Sequence, residues 1–349
     1  LTVNEIELGI VFPLDKVGVV IMHSQVRVNL TSTEPFRWQE AAIPIQLENI
    51  KRTLDIARTS DHEAEQTHIT IFPEYSVPSL IGINLIDRTF RSADWKANSL
   101  IIAGIDGLSL ENYRRLCATE NLHIAEGSEP ANIADGKWVN CFVMWAKTAD
   151  NQVRQFVQAK LVPAWPEQNN QCEQMHCGNS VFLFKAQFAN GHSCRFLSVI
   201  CYDWIGKGPT QILAWNSIMQ RICEMFPGDG IELHWTFILE ENPKPNDVNF
   251  LNGVKNFFEE RGQYPQVNRD GCTIVFANNV SIDRPGKAET HGYSSLVYSQ
   301  LSAFPKIEDC PPSYSGSSIT ARGSEILKSC RDVVFREQGA CIHSFSMRP

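Results

Sequence analysis

Short apolar runs rich in β-forming residues recur along this chain, and three of them end at a residue of reactive type. Phe196–Ile200 is the clearest. It reads as a buried strand, it stops at Cys201, and Gly206, Gly208 and Pro209 then mark a turn. A helical pattern begins at Thr210. In open α/β sheets, ligands bind beyond the strand ends, where such a cysteine would stand. Ile69–Phe72 likewise runs into Pro73-Glu74-Tyr75, and Val153–Ala159 delivers Lys160. Taken singly, each is ordinary. Cysteine packs well in cores, and a Glu or Lys after a strand is usually solvated.

The remaining pattern alternates strands with helices and inserts hairpins. Val17–Met22, Leu100–Gly104, Trp138–Thr148, Ile231–Leu239 and Cys272–Phe276 read as strands. Residues 45–57, about 210–226 and 248–260 read as amphipathic helices. Ala149-Asp150-Asn151 and Ala189-Asn190-Gly191 read as hairpin turns. Gly316–Thr320 and Gly339–His343 read as late strands, with a loop of three prolines at 303–315 before them. This order predicts an α/β layered domain with mixed sheets. Residues 1–15 read as a lead-in or linker, and one domain is expected over 16–346.

Composition narrows the function classes. With 43% hydrophobic and 20% charged residues, the 349-residue chain has the profile of a soluble globular protein. A net charge of −8 leaves no basic footprint for nucleic acid. No apolar run is long enough to span a membrane, and the N-terminus lacks a signal-peptide layout. The 11 cysteines are too irregularly spaced for a disulfide framework. They read as mostly reduced thiols, hence a cytoplasmic protein. Cys172, His176, Cys177, His192 and Cys194 do not have regular zinc-finger spacing, so no metal site is expected.

Glu74, Lys160 and Cys201 together make a complete acyl-transfer set without histidine. A carboxylate raised by burial can take the thiol proton, and an ammonium can balance the resulting oxyanion. The set resembles the nitrilase, or carbon–nitrogen hydrolase, superfamily. Phe72-Pro73-Glu74-Tyr75 is similar to its general-base motif, and Lys160-Leu161-Val162-Pro163 followed by Glu167 to its lysine motif. Ile200-Cys201-Tyr202-Asp203 is similar to its nucleophile motif. The hairpin before Lys160, Phe276-Ala277-Asn278, Gly316–Ile319 and Gly323–Leu327 also match in order, so the resemblance covers about 16–346. Residues 168–178 have no clear counterpart; His291–Ser295 competes with Gly316–Ser318 for the family's Gly-Ser strand, and if the later one is right, residues 292–314 contain an insertion.

The resemblance implies a four-layer α-β-β-α sandwich with two mixed sheets. It implies hydrolysis of an amide, carbamoyl or nitrile C–N bond through a Cys201 thioester, without a cofactor. Glu74 would be the base, and Lys160 with the Tyr202 backbone N–H the oxyanion stabilisers. Glu167 would orient substrate or assist proton transfer. Trp215 and Met219 in the 210–226 helix suggest an apolar surplus, hence a homodimer or higher oligomer. A second reading is a nitrilase-like module of a larger protein, fused to a synthetase or a defence-associated reverse transcriptase. The absence of an initial Met motivates that reading.

Overall fold

The computed structural model describes residues 1–29, 35–59, 66–168, 175–208, 211–228, 230–242, 248–259, 264–269, 271–279, 294–299, 322–326, 333–335 and 340–347. Cys172, the 303–315 loop and the expected strand at 316–320 lie outside them.

The first half contains β1 (Thr2–Phe12), β2 (Val17–Ser24), α1 (Ile43–Thr59), β3 (Thr67–Val77), α2 (Ser79–Phe90), β4 (Ser99–Ile105) and β5 (Leu108–Ser109). Next come α3 (Leu110–Cys117), β6 (Leu122–Ile124), β7 (Trp138–Val139), β8 (Cys141–Lys147), β9 (Val153–Ala159) and α4 (Trp165–Gln168). The second half has β10 (Ser180–Phe188), β11 (Ser193–Ile200), α5 (Ala214–Met225), β12 (Ile231–Glu232), β13 (Trp235–Glu240) and α6 (Val248–Glu259). It closes with β14 (Val267–Asn268), β15 (Thr273–Asn278), β16 (Ser295–Ser299), β17 (Arg322–Ile326), β18 (Val333–Phe335) and β19 (Ala340–Met347).

Two large mixed sheets organise these elements. One has seven strands in the order β1-β10-β11-β13-β15-β16-β17, and the other eight in the order β18-β19-β2-β3-β4-β8-β9-β6. Parallel pairs (β11 with β13, β13 with β15, β2 with β3) sit beside antiparallel ones (β10 with β11, β8 with β9). The chain is therefore a mixed α/β protein, as the alternating pattern predicts.

In the eight-stranded sheet, period-two alternation sorts strands such as β2 and β4 between two apolar clusters. On β2, Val19 and Ile21 join a cluster that also holds Leu183, Phe184, Leu197, Val199 and Phe237 of the seven-stranded sheet. Val20 and Met22, pointing the other way, join Ile50 and Leu54 of α1 and Ile83 and Ile86 of α2. On β4, Leu100 and Ile102 go with the first cluster, and Ile101 and Ala103 with the second. Each such side chain stabilises the fold by about 1.5–3 kcal/mol when fully buried.

Several sequence expectations need correction. Residues 2–12, read as lead-in or linker, form β1, which pairs in parallel with β10 from Thr2–Ser180 onward. Their interrupted polar pattern is that of an edge strand buried on one face. The run 138–148 is two strands that part at Asn140. The helices α2 and α3 were not expected at all. Of the apolar surplus inferred for the 210–226 helix, Ile212 and Met225 are exposed, but the two residues singled out for it are not. Trp215 and Met219 are buried within this chain, against Trp204 and Phe257 in the case of Trp215. The outward side of α5 carries the polar Gln220, Arg221 and Glu224, which bond one another.

Candidate active site

Three polypeptide features bring the site together, and the first is a bulge in β3. Pairing with β4 holds as far as Phe72–Ala103 and resumes at Val77–Ile105. Residues 73–76 thus stand opposite Gly104 alone, and Pro73 could not have donated to the ladder. Gly104 makes the bulge possible. A Cβ there would fall 2.5 Å from the Pro73 carbonyl oxygen and 2.6 Å from the Glu74 Cα. Tyr75, at φ +60°, completes the turn, and its carbonyl accepts from Trp38 Nε1 at 2.7 Å.

The second feature is the end of β9. Lys160 follows the last paired residue, Ala159, and its backbone N–H donates to the Asn140 carbonyl at 2.8 Å. Five residues on, the single turn of α4 turns Glu167 inward, with the Ala164 N–H bonded to its carboxylate. The third is the end of β11, where Cys201 takes φ +40°, a left-handed conformation that costs a non-glycine residue about 1–3 kcal/mol. Asp203, two residues later, accepts from the Leu161 and Val162 N–H groups at 2.9 and 2.8 Å and from Ile200 N–H at 3.2 Å. That buried carboxylate fastens the lysine turn to the cysteine turn. Burial pushes it up to about 7, with Lys160 and the three amides working the other way.

The side chains meet in a closed cycle. Lys160 Nζ donates to Glu74 Oε1 and to Glu167 Oε2, each at 2.8 Å. Asn140 Nδ2 donates to Glu74 Oε1 and to Glu167 Oε1, each at 2.8 Å, and reaches the Tyr75 hydroxyl at 3.0 Å. The Tyr75 hydroxyl in turn donates to Glu167 Oε1. Lys160, Glu74 and Glu167 are 1–2% exposed and Cys201 is 8% exposed, so the charges act on one another with little screening.

Burial works against the Lys160 ammonium, but Glu167 and Glu74 outweigh it and hold its pKa well above the ordinary lysine value. Burial raises Glu74, and the neighbouring Lys160 restrains the rise. Burial, then the Glu74 charge, pushes the Cys201 thiol well up, against the pull of Lys160. The cysteine therefore rests as a thiol beside a carboxylate of raised basicity.

The structure thus brings Glu74, Lys160 and Glu167 into direct contact, and Cys201 lies within reach of their charges. Tyr202 is half-buried at the edge of the core, and its carbonyl accepts from Ile205 and Gly206 N–H. Sequence reading missed Asn140, the hydroxyl of Tyr75, and Asn279. Asn279 Nδ2 donates to the Glu74 carbonyl at 2.6 Å, and its Oδ1 accepts from Ser76 Oγ at 2.9 Å. The one available signal was a polar residue, Asn140, inside an otherwise apolar run. Of the residues weighed for zinc, Cys194 is buried in the apolar core. Among the described residues no group of three or more His, Cys, Asp or Glu side chains could hold a metal ion.

No family model matches the chain. No curated protein matches it either. Among solved structures, a match is found to the crystal structure of an N-terminal amidase with Gln-Gly peptide, at TM-score 0.39 and 11% identity. It covers 71% of this chain, which spans 56% of that one. Among the described residues, no helix is long and apolar enough to cross a membrane.

Proposed function

We propose that this chain is a hydrolase of non-peptide C–N bonds, acting on an amide, carbamoyl or nitrile carbon through a thioester on Cys201. The observation that carries the reading is the buried cycle of Glu74, Lys160 and Glu167 beside a cysteine held in a left-handed strand-end turn. Such a cluster costs stability to bury, and strained residues concentrate at working sites. The sequence resemblance to carbon–nitrogen hydrolases points the same way.

For an amide, Glu74 takes the proton from the Cys201 sulfur as that sulfur attacks the carbonyl carbon. The raised thiol makes this a coupled step rather than attack by a standing thiolate. Lys160 uses two of its three N–H bonds on carboxylates, and the third serves the oxyanion together with the Tyr202 backbone N–H. The C–N bond breaks, and the proton held by Glu74 goes to the leaving amine. Water, deprotonated by Glu74, then opens the thioester, and the proton returns to sulfur as the acid leaves. Glu167 keeps Lys160 in place.

The proposed architecture is the four-layer α-β-β-α sandwich, as one domain that also takes in β1. The apolar cluster shared by both sheets, and the second cluster shared with α1 and α2, support it. The test is acylation by a reactive ester or amide, followed by intact-mass analysis and peptide mapping. One adduct, on Cys201, is expected in the wild type, and none in Cys201→Ala. A screen of amides, ureides and nitriles for ammonia release then identifies the substrate. Label on Cys177 or Cys194, with turnover retained in Cys201→Ala, would move the nucleophile and end this reading.

A further inference from the structure

The two carboxylates of the cycle differ in how their lone pairs are used. A carboxylate has about four acceptor positions. Glu167 fills them: Oε1 accepts from Asn140 Nδ2 and the Tyr75 hydroxyl, and Oε2 from Lys160 Nζ and the Ala164 N–H. On Glu74, Oε1 accepts from both Lys160 Nζ and Asn140 Nδ2. Among the described residues, Oε2 has a single donor, the Glu241 N–H at 3.1 Å. One amide, that of Asn140, ties the two Oε1 atoms together. Its own Oδ1, on a fully buried residue, has no partner among the described residues. Asn140 is held for this task by its place between β7 and β8, where its carbonyl takes the Lys160 N–H.

We propose that Asn140 is the positioning residue that makes Glu74 Oε2 the proton acceptor for Cys201, by occupying Oε1 of both carboxylates. This rests on the function proposed above and deepens it. In the step concerned, the S–H bond breaks with its electron pair left on sulfur, and an O–H bond forms at Oε2. Glu167, with every acceptor position used, holds Lys160 and takes no proton. The titratable groups that act on Glu74 are Lys160 at the end of β9, Glu167 of α4, Tyr75 of β3 and Cys201 after β11, with the Glu241 N–H on its Oε2; Asp203 acts on Lys160, and Glu240 on Cys201.

The test needs no substrate. The rate at which iodoacetamide alkylates Cys201 in the full chain is measured from pH 5 to 9 by peptide mapping, with folding checked by circular dichroism. Asn140→Ala removes one of the two donors on each Oε1, leaving Lys160 on that of Glu74 and Tyr75 on that of Glu167, and should slow alkylation by about 10- to 100-fold, the effect of one hydrogen bond to a charged group. Asn140→Asp keeps the shape and adds a third carboxylate. Like charges hold protons more tightly, so the rise of rate with pH should move up by about one unit or more. The added charge of Asn140→Asp moves the profile whatever Asn140 does, so the neutral variant discriminates: a purely structural asparagine would leave the alkylation rate of a folded Asn140→Ala protein unchanged. Preferential labelling of Cys201 in the wild type, with that unchanged rate or with an unmoved profile in a folded Asn140→Asp protein, overturns this proposal alone. Should Asn140→Ala fail to fold, Asn140→Leu, likewise neutral and unable to donate but closer to asparagine in volume, is read for the same slowing. Failure of the wild type to label at Cys201 in preference to its other thiols overturns the proposed function, and this inference with it.

Discussion

Lys160 is the residue whose replacement separates catalysis from stability. It is 1% exposed between two carboxylates that are each 2% exposed. Removing a buried ion's partner leaves the other charge uncompensated and costs about 3–5 kcal/mol. Lys160→Ala should therefore lose that much in urea unfolding, beyond a roughly 10²–10³-fold loss of turnover from the missing oxyanion donor. Lys160→Met with Glu74→Gln and Glu167→Gln removes all three charges together. That triple variant should regain most of the lost stability and stay inert towards acylation at Cys201. A triple variant no more stable than Lys160→Ala would show that the cycle is not a charge-compensated unit.

At the scale of elements, the site depends on a mismatch between neighbouring strands. The β3 bulge carries Glu74 out of the ladder, and Gly104 of β4 is its bed. The clash for a Cβ at 104 is with backbone, which has no rotamer by which to escape. Gly104→Ala should push the bulge outward, cost about 1–3 kcal/mol as overpacking does, and slow Cys201 alkylation by displacing Glu74. Gly136, beside which a Cβ would meet nothing within 4 Å, is the control for space. Its φ of +78° still strains an alanine, so Gly136→Ala should cost stability without touching the thiol's reactivity. Equal effects of both variants on alkylation would contradict the bulge argument.

At the scale of the whole molecule, buried Asp106 adds a pH dependence of definite sign. Asp106 accepts from the Ser79 N–H at the start of α2 (2.7 Å) and from the Trp38 N–H (3.0 Å). Burial raises it from 3.8 to about 7, despite those two amides. A carboxyl whose folded pKa lies above its unfolded one binds more protons when folded. Its stabilising contribution is therefore present at low pH and is lost as the pH rises from 3.8 to about 7. Asp106→Asn carries a constant offset from its altered hydrogen bonds but no titration. Its melting temperature should gain on that of the wild type across this window and run parallel to it above pH 7. A constant difference from pH 4 to 8 would show that Asp106 does not titrate in that interval.

Periodicity and residue type, both local, made most of the frame legible. The strands at 17–22, 100–104 and 153–159, the hairpin around Gly191 and the α1 and α6 helices are read from alternation and from 3.6-residue spacing. Glu74, Lys160 and Cys201 stood out because each follows or closely trails an apolar run, and Glu167 only through the resemblance of the stretch after Lys160 to a family motif. What they touch was not legible, since 86 and 41 residues of chain separate Glu74, Lys160 and Cys201. Asn140 lies unremarked inside the run 138–148, which reads as one strand, and β1 reads as a lead-in, because neither residue pattern names its partner. Only the tertiary structure could show that Asn140 closes the carboxylate cycle, that Gly104 admits the bulge, and that Trp215 and Met219 face inward. A side chain's spacing along the chain determines which way it can point, while burial, charge compensation and lone-pair use depend on what the rest of the fold places against it.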